Sequence, residues 1–471
     1  MAHNFIFSDQ PTDAHPVITI TPVLKQEFTE WVEKQTASVQ NWVKTSGFVA
    51  HHGSVCLLPD QQGNLSQVFF GVTDYADFWE FGKLPITLPA GSYQFDLSIP
   101  ALLQGERLQH MAMAWGLGNY QFDRYKKAEE RQALLLLPKP SENLIFDNKH
   151  VILMVSAINW VRDLINTPTE DLGPSELGDV AVTLAHEFGA KVTQIVGDDL
   201  LKQNYPSIHA VGRASASAPR LIDLRWGNPE HPKLCLVGKG VCYDTGGLNI
   251  KVHNGMLHMK KDMAGAAHVL GLARMIMASG LPVNLRVLIP AVENSISANA
   301  YRSGDIIRSR KGLTIEVNNT DAEGRVILAD ALAEAMTEKP ELVIDFATLT
   351  GAGRIALGPD LPALFCDHEE VSRGLIACGH KELDPVWPLP LFTPYRKFID
   401  SKVADISNTS SSPYGGAIAA ALFLKDFVDA DIPWVHFDLM AWNTRCLPGR
   451  PEGGEAMALR ATFRYLQEHF S

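Results

Sequence analysis

The chain has 471 residues, too many for one ordinary hydrophobic core, and its length therefore predicts two domains. Hydrophobic residues make up 46% and charged residues 20% of it, a balance typical of globular proteins. The formal net charge of −12 argues against nucleic acid or an anionic membrane surface as the main partner.

The cysteines and the N-terminal sequence bear on where the protein works. Six cysteines are scattered without a C-x-x-C pair, which favours reduced thiols over a disulfide framework. The first residues lack a basic segment followed by an apolar run, and the chain has no run of about eighteen apolar residues. We therefore expect a cytoplasmic protein without a signal peptide or a membrane span.

Residues 1 to about 150 predict an irregular α/β domain. His51 and His52 are neighbours on one predicted strand, where side chains alternate between faces, so we assign them to packing or surface rather than to joint metal binding. No cluster of metal ligands or nucleophiles is expected here. The predicted elements are helices over 27–43 and 106–119 and strands over 47–58, 67–72 and 91–97.

The domain boundary is predicted near residues 150 to 170. Apolar residues recur at helical spacing over 151–166, and Pro168 cannot continue that helix. A second helix is expected to start at Ser175, which is available as its N-cap. We therefore expect three parts: an N-terminal α/β domain over 1–150, a linking helix and loop over 151–170, and a larger C-terminal catalytic domain over 171–471.

Strands and helices alternate in the C-terminal domain, which predicts a mainly parallel sheet flanked by helices. Sites in such sheets form outside the carboxyl ends of strands. Lys239 and Asp244 follow one predicted strand and residues 348–351 follow another, so we expect a crevice there. The predicted elements are strands over 191–196, 220–225, 233–237, 284–291, 342–346 and 434–439, and helices over 175–188, 264–277, 325–336 and 417–427.

Three short stretches, over 237–251, 259–267 and 319–325, carry most of the chemical signal. Their acids adjoin glycines and short apolar runs, which indicates strand ends and tight turns. Hard divalent cations prefer carboxylate oxygen, and one carboxylate can bridge two of them, so we hypothesise a two-metal hydrolytic site. The stretches contribute four acids, Asp244, Asp262, Asp321 and Glu323, and three bases, Lys239, Lys251 and Arg325.

Spacing supports a shared ion, but simpler interpretations of single residues stay open. Asp321 and Glu323 are two apart, and an extended segment would point both toward one ion. Lys239 and Arg325 could instead only form salt bridges with the acids. Cys242 could be a thiolate ligand, although a small residue of a strand is favoured.

Other catalytic classes find less support in the sequence. The chain contains no G-x-S-x-G, so serine catalysis is poorly supported. The histidines near the motifs lack the spacing of a zincin and are assigned to the surface or to a supporting role. They are His253, His258 and His268.

The three stretches resemble the defining motifs of the M17 leucyl aminopeptidase family, in the family's order and separations. They read K-G-V-C-Y-D-T-G-G-L-N-I-K, M-K-K-D-M-A-G-A-A and N-T-D-A-E-G-R, and D-F-A-T-L-T-G-A follows at 345–352. Thr245 stands where serine is commoner in the family. The resemblance covers residues 159 to 460 and implies an N-terminal α/β domain used in assembly, together with a homohexamer.

The resemblance also implies a ligand set for two divalent cations, manganese or zinc, with magnesium and cobalt as alternatives. Asp244 would bridge the ions, Asp262 would complete the second, and Lys239 would bind as a neutral amine. The paired cations would polarise a peptide carbonyl and acidify a bridging water to hydroxide. The implied ligands are Lys239, Asp244, Asp262, Asp321 and Glu323.

The implied reaction is removal of an N-terminal leucine or other apolar residue from peptides. Lys251 would stabilise the tetrahedral oxyanion, and Arg325 would hold a bicarbonate ion that accepts the water's proton. Asp262 would receive the substrate's α-amine. Main-chain groups of Leu349 and Gly351 would align the substrate, and Met259 and Thr348 would line an apolar S1 pocket.

Two alternatives and two segments stay open. The rivals are a two-metal phosphoesterase, and a non-catalytic scaffold or DNA-binding member of the same fold. The Gly- and Ser-rich segment 406–418 is either a flexible surface loop or a part of the crevice mouth. The resemblance places segment 450–460 at the S1 wall, but its sequence departs from the family's usual one, so the side-chain preference stays open.

Overall fold

A computed structural model describes residues 7–8, 16–139, 144 and 146–470. The chain divides into two compact units, and the division falls between Asn159 and Trp160, inside one helix. The first unit also takes in Arg445–Glu452, and the second takes in the residues from Gly453 onward. Both units combine strands and helices, so the prediction of a two-domain α/β protein is confirmed.

The first unit is built on a sheet that, in the described residues, has six strands in the order β1-β6-β5-β2-β4-β3. Parallel pairing joins all neighbours except β3 and β4, which are antiparallel. The strands are β1 (Phe7–Ser8), β2 (Ile18–Leu24), β3 (Val55–Pro59), β4 (Leu65–Val72), β5 (Gly91–Phe95) and β6 (Ala133–Leu136). Its helices are α1 (Phe28–Glu33), α2 (Ala37–Ser46), α3 (Leu84–Thr87) and α4 (Arg107–Gly118), with 3-10 turns at Lys25–Glu27, Phe78–Lys83 and Pro100–Leu103.

Two predictions for this unit were wrong. The single helix over 27–43 is interrupted, because Thr36 caps a new helix by accepting from the backbone N–H of Val39. The strand over 47–58 begins only at Val55, so His51 and His52 precede it and are exposed.

His52 also brings together a group that sequence spacing does not reveal. Its Nε2 lies 2.7 Å from a carboxylate oxygen of Glu80, and one ligand atom each from His52, Asp77 and Glu80 lie within 4.8 Å of one another. The expectation of no such cluster in this region was therefore wrong. A contact between the His52 ring and the Glu80 carboxylate accounts for this separation, and nothing further in the described residues points to a bound ion.

The second unit contains the larger sheet, with the order β16-β15-β18-β14-β9-β11-β8-β7 and with β10 beside β11, as far as the described residues go. The first six strands of the unit are β7 (Lys191–Val196), β8 (Arg220–Trp226), β9 (Lys233–Gly238), β10 (Gly240–Asp244), β11 (Asn284–Asn294) and β12 (Ile306–Arg308). The others are β13 (Thr314–Glu316), β14 (Leu342–Ala347), β15 (Ala363–Cys366), β16 (Trp387–Pro388), β17 (Ile406–Ser407), β18 (Trp434–Asp438), β19 (Trp442–Asn443) and β20 (Gly453–Gly454).

The centre of this sheet is parallel, as predicted. β18, β14, β9, β11 and β10 run in one direction, so their carboxyl ends lie along one edge. Among the described strands of this sheet, antiparallel pairing joins only β15 with β18, β8 with β11 and β7 with β8, which makes the whole sheet mixed. Strands β12, β13 and β17 form a separate small sheet.

Helices cover this sheet. The predicted N-cap of one of them, the helix that begins at Pro174, was wrong. Gly173, not Ser175, is the N-cap of the helix that starts at Pro174, and the Glu176 carboxylate accepts from the Gly173 N–H at 3.1 Å. The α-helices are α5 (Asn148–Asn166), α6 (Pro174–Phe188), α7 (Asp199–Lys202), α8 (Pro206–Gly212), α9 (Ala264–Ser279), α10 (Glu323–Met336), α11 (Gly351–Leu357), α12 (Glu369–Lys381), α13 (Gly416–Lys425) and α14 (Leu459–Phe470). The 3-10 turns lie at Thr169–Asp171, His253–Met256, Met259–Met263 and Thr393–Ile399.

Helices α9 and α10 pack tightly against the strands that end at the candidate site. α9 comes so close to the sheet that a Cβ on Gly265 would lie 2.0 Å from the carbonyl oxygen of Phe346. α10 buries Val326, Ile327 and Leu332 in a core shared with Trp434 of β18.

All six cysteines are free thiols. Across the described ranges, no helix combines the length and the apolarity needed to cross a bilayer.

Candidate metal centre and crevice

A crevice of about 270 Å³ opens at the carboxyl edge of the large sheet. Lys239 follows β9, Asp244 ends β10, Thr348 follows β14 and Leu439 follows β18, so the strand ends supply its floor. All seven charged motif residues and the four predicted substrate-binding residues line it: Lys239, Asp244, Lys251, Asp262, Asp321, Glu323, Arg325, Met259, Thr348, Leu349 and Gly351.

Lys239 is buried at the centre of the acids. Its Nζ lies 2.7 Å from Asp262 Oδ2 and 3.0 Å from Glu323 Oε1, and it donates to the carbonyl of Thr348 at 2.9 Å. Burial alone would lower the pKa of Lys239, but the carboxylates of Asp262 and Glu323 raise it above its ordinary value. In the metal-free protein Lys239 is therefore an ammonium that neutralises two acids.

Gly324 makes room for the Lys239 side chain. A Cβ at position 324 would lie 2.5 Å from Cε and 2.8 Å from Nζ of Lys239. Those separations are far inside van der Waals contact, so a residue larger than glycine would displace the amine.

Asp244 is fixed in one orientation by its neighbours. Its Oδ1 accepts from the Gly246 N–H and from the Asn294 Nδ2, both at 2.8 Å. Asn294 ends β11, whose register pairs it with Asp244. Because Oδ1 is held from two sides, Oδ2 is the oxygen that faces Lys251 Nζ at 2.7 Å.

Asp262 is supported by the loop after β14. Thr348 Oγ1 donates to Asp262 Oδ1 at 2.8 Å, which turns Oδ2 toward Lys239. That loop is itself held by Asp438, whose Oδ1 accepts from the backbone N–H groups of Leu349 and Thr350 at 3.0 and 3.1 Å.

Asp321 and Glu323 do not lie on an extended segment. The prediction that an extended backbone points both side chains toward one ion therefore does not apply to them. Asp321 lies in a turn, and its N–H donates to the side-chain oxygen of Asn319 at 2.9 Å. Glu323 is the first residue of α10. The turn directs Asp321 toward Lys251, 2.5 Å away, while Glu323 reaches Lys239.

The resulting arrangement fits divalent cations. One ligand atom each from Asp244, Asp262 and Glu323 lie within 4.8 Å of one another, and all three residues are buried. Burial and the Asp244 charge raise the pKa values of Glu323 and Asp321 above the ordinary carboxyl range, so the cluster is short of positive charge. The buried Glu323 Oε2 has no hydrogen-bond partner among the described residues, and Asp262 Oδ2 and Asp321 Oδ1 face lysine amines, so these oxygens could turn to hard cations.

The loop that carries Lys251 requires glycine at two positions. Gly246 and Gly247 have φ of +86° and +62°, and a Cβ on Gly247 would lie 2.8 Å from the side-chain oxygen of Asn294. Lys251 joins Asp244 to Asp321, and these carboxylates raise its pKa although burial lowers it. Its ammonium therefore persists at neutral pH.

Arg325 differs from the two lysines. Its guanidinium forms no salt bridge or hydrogen bond with any described residue, and its buried Nε has no partner. The interpretation that Arg325 simply neutralises the acids is therefore wrong, whereas Lys239 does pair with two of them. A half-buried guanidinium with free donors fits a small planar anion such as bicarbonate.

Several supporting residues carry no recognisable sequence signal because they join distant segments. Asn249 N–H donates to Thr320 Oγ1 at 2.8 Å, and the Thr320 N–H donates back to Asn249 Oδ1 at 2.8 Å. Asn408 accepts from the Asn318 N–H at 2.8 Å and donates to the Asn319 carbonyl at 2.7 Å. The start of segment 406–418 therefore braces the turn that carries Asp321.

The remaining candidates have structural roles. His268 is buried, with Nδ1 bonded to the Ala264 carbonyl and Nε2 accepting from the Met457 N–H at 2.9 Å. His258 lies against the ring of Trp442. Cys242 is a buried residue of β10, as favoured. None of residues 450–460 lines this crevice within the described part of the chain, and their place at the S1 wall stays a prediction.

Family comparisons were made once this geometry was known. A family model described as "Cytosol aminopeptidase family, catalytic domain" matches residues 159–462. A second, described as "M17 aminopeptidase, N-terminal domain", matches residues 18–138. Together they span both units of the chain.

Individual relatives agree with the family models. A probable cytosol aminopeptidase of Syntrophotalea carbinolica is 42% identical over 366 residues, 75% of this chain and 73% of the relative. Peptidase B of Serratia proteamaculans is 41% identical over 304 residues, 63% of this chain and 70% of the relative.

Solved structures with similar folds cover nearly the whole chain. The crystal structure of a cytosol aminopeptidase from Coxiella burnetii has a TM-score of 0.94 and 51% identity, and the match covers 99% of this chain and all of that one. The bottromycin maturation enzyme BotP in complex with Mn has a TM-score of 0.85 and 30% identity, with 97% and 99% covered.

Proposed function

This chain belongs to the cytosol aminopeptidase family, M17, and is therefore a metal-dependent peptidase, and we propose that its crevice removes single N-terminal residues from peptides. The observation that carries the proposal is the meeting of Asp244, Asp262 and Glu323 within 4.8 Å, in the same crevice as Lys251 and Arg325. Leucine or another apolar residue is the proposed preference.

Two divalent cations are the proposed cofactors, manganese or zinc, with magnesium and cobalt as alternatives; a complex of the relative BotP contains Mn. When bound, they would polarise the substrate carbonyl and lower the pKa of a water molecule. Lys239 would bind through a neutral amine, because an ammonium has no lone pair to donate. The proposed ligands are Lys239, Asp244, Asp262, Asp321 and Glu323.

Lys251 and Arg325 have separate proposed roles because their surroundings differ. The Lys251 ammonium, held by Asp244 and Asp321, would stabilise negative charge on the carbonyl oxygen as the tetrahedral intermediate forms. Arg325 keeps free donors and would hold bicarbonate, the group proposed to take the proton of the attacking water. Arg325 itself is charged at neutral pH and would not act as the base.

Substrate alignment is assigned to the loop after β14 and to Asp262. The Leu349 N–H already donates to Asp438, so Leu349 would contact the substrate through its carbonyl, together with the main chain of Gly351. Asp262, braced by Thr348, would accept from the α-amine. Met259 and Thr348 would line the pocket for the first side chain.

Assembly and location are proposed from the family. We propose a cytoplasmic homohexamer in which the N-terminal domain over 1–150 takes part in assembly. Light scattering on the full chain measures the mass directly, and a monomeric mass at micromolar concentration would contradict this part.

The test of the proposed function measures metal and turnover on the same sample. Protein is chelated, then reloaded with manganese or zinc, and metal per chain is determined beside hydrolysis of leucine amide. We expect about two ions per chain, negligible turnover after chelation and recovery on reloading. Full activity in metal-free protein would contradict the proposal.

A further inference from the structure

A buried tryptophan contacts the residues on both sides of Met259. Trp442 is 7% exposed, and the His258 ring lies against it, with the ring centroids 4.7 Å apart and the planes at 30°. The Lys260 Nζ lies 5.7 Å from the centroid of the same indole, and a cation in that position is attracted by the face of the ring. The chain is therefore held on one partner immediately before and immediately after Met259, which lines the crevice.

The indole is itself anchored by strand pairing and by the end of α5. Trp442 pairs with Gly454 across β19 and β20, and the Gly454 N–H donates to the Asn166 side-chain oxygen at 2.8 Å. The Asn166 carbonyl accepts from the Lys260 Nζ at 2.6 Å. These four residues therefore form a closed ring of contacts, which restricts the movement of the indole.

Glycine at two positions lets β20 approach α5. A Cβ on Gly453 would lie 2.7 Å from the side-chain oxygen of Asn166, and a Cβ on Gly454 would lie 2.7 Å from the Cβ of Ile165. Both separations are well inside van der Waals contact, so the backbone of β20 packs directly on the end of the helix. The support behind Trp442 is therefore a strand backbone and a helix.

The segment that precedes Met259 gives it less support. Val252 and Leu257 are 73% and 69% exposed. Met259 begins the 3-10 turn over 259–263, and the end of that turn continues into the buried start of α9. Removal of the indole would therefore loosen the start of the turn, where Met259 lies, and leave its end in place.

We propose that Trp442 is a positioning residue for substrate selection, because it fixes Met259 and thereby the wall of the pocket for the first side chain of the peptide. This deepens the proposed function and rests on it. Among the described residues Trp442 does not line the crevice, so it acts through Met259 and not by touching the substrate. A wall held on both flanks is preorganised, and an apolar side chain that fits it binds without the cost of ordering the wall.

Amides that differ in their side chain test the proposal on metal-loaded protein. Glycine amide has no side chain to reach the pocket and reports the reaction itself, whereas leucine amide also reports the wall. Trp442→Leu should lower kcat/KM for leucine amide at least about tenfold relative to glycine amide, since one methylene in an apolar pocket is worth about 10–200-fold. Trp442→Phe keeps a ring and should retain most of the discrimination. Trp160→Leu is the matched control, because the Arg274 Cζ lies 5.4 Å from that indole and Trp160 does not line the crevice within the described ranges.

The ratio of the two amides separates selection from a general structural role. An unchanged ratio in Trp442→Leu would overturn the proposal, and so would an equal loss on both amides. Lys260→Met removes the cation from the indole and should lower the same ratio, so the proposal stays testable if Trp442→Leu does not fold. An unchanged ratio in Lys260→Met would then count against it.

Hydrogen exchange keeps the test separate from the proposed function. Backbone N–H groups over 259–263 should exchange faster in Trp442→Leu than in the parent, and at the parental rate in Trp160→Leu. Among them is the Lys261 N–H, which donates to the His258 carbonyl at 3.0 Å. A parent that hydrolyses no amide would refute the proposed function, and exchange would still show whether Trp442 holds the turn. Parental exchange rates in an active Trp442→Leu enzyme would refute this inference alone.

Discussion

Substitution of Gly324 by alanine probes the close approach between the backbone of α10 and the Lys239 side chain. The new Cβ would lie 2.5 Å from Cε and 2.8 Å from Nζ. Carbon atoms in contact are about 3.5–4.0 Å apart, so the end of Lys239 would have to move by about 1 Å. Its amine contacts Asp262, Glu323 and the Thr348 carbonyl, and it cannot move without lengthening at least one of these contacts.

The expected effect on stability is small and the effect on catalysis large. Alanine in a helix is favoured over glycine by about 1 kcal/mol, and overpacking a buried site costs about 1–3 kcal/mol. These opposing terms leave a net loss of about 0–2 kcal/mol in the free energy of unfolding. A misplacement of about 1 Å in a catalytic group can cost about 100-fold in rate, which is the decrease in kcat/KM expected for Gly324→Ala.

The assay compares Gly324→Ala with Gly178→Ala, which has a similar clash with a movable partner. A Cβ on Gly178 of α6 would lie 2.5 Å from the amide oxygen of Gln194. Urea unfolding and hydrolysis of leucine amide are measured for both variants with saturating metal. Activity of Gly324→Ala within about threefold of the parent would refute the reasoning that the amine position matters.

Three further predictions test other parts of the site. Asp244→Asn should lower metal per chain and reduce turnover by several orders of magnitude while circular dichroism stays native, and unchanged metal content would refute the proposed bridge. Lys251→Arg should lose turnover but keep metal, whereas Lys239→Arg, which cannot offer a neutral nitrogen, should weaken metal binding; the same defect in both would argue against separate roles. Burial lowers the pKa of His268 from 6.5 to about 4, so its contribution to stability is present above pH 6.5 and is lost as pH falls toward 4. Between pH 7.5 and pH 5 the loss in the free energy of unfolding amounts to about 2 kcal/mol. With metal removed by a chelator, the His268→Gln variant should therefore show a correspondingly smaller pH dependence of its free energy of unfolding than the parent. The same pH dependence in variant and parent would contradict this prediction.

The sequence predicted the site because its chemistry is concentrated in short motifs. Three stretches within 90 residues carry the charged residues, and the strands before them are apolar runs with clear ends. The family identification is confirmed by both family models. The domain limits and the individual residue roles are still predictions.

Other features could not be predicted because they depend on contacts between distant segments. Asn294 orients Asp244 across fifty residues, and Asn408 braces Asn319 across about ninety. Nothing local marks either asparagine. Local conformation also overrode simple rules: Thr36 began a new helix inside an amphipathic stretch, and the turn at Asp321 replaced the extended segment that its spacing suggested.

The central claim, hydrolysis restricted to free N-termini, is tested most directly by a pair of matched substrates. Leucine amide and N-acetyl-leucine amide are compared at saturating metal and mildly alkaline pH. The acetyl group removes the lone pair of the nitrogen that is proposed to bind beside Asp262. We therefore expect kcat to fall and KM to rise. The account predicts that leucine amide is cleaved at least about 1000-fold faster in kcat/KM, a difference of about 4 kcal/mol in transition-state binding. Comparable rates on the two amides would contradict it and indicate a general amidase.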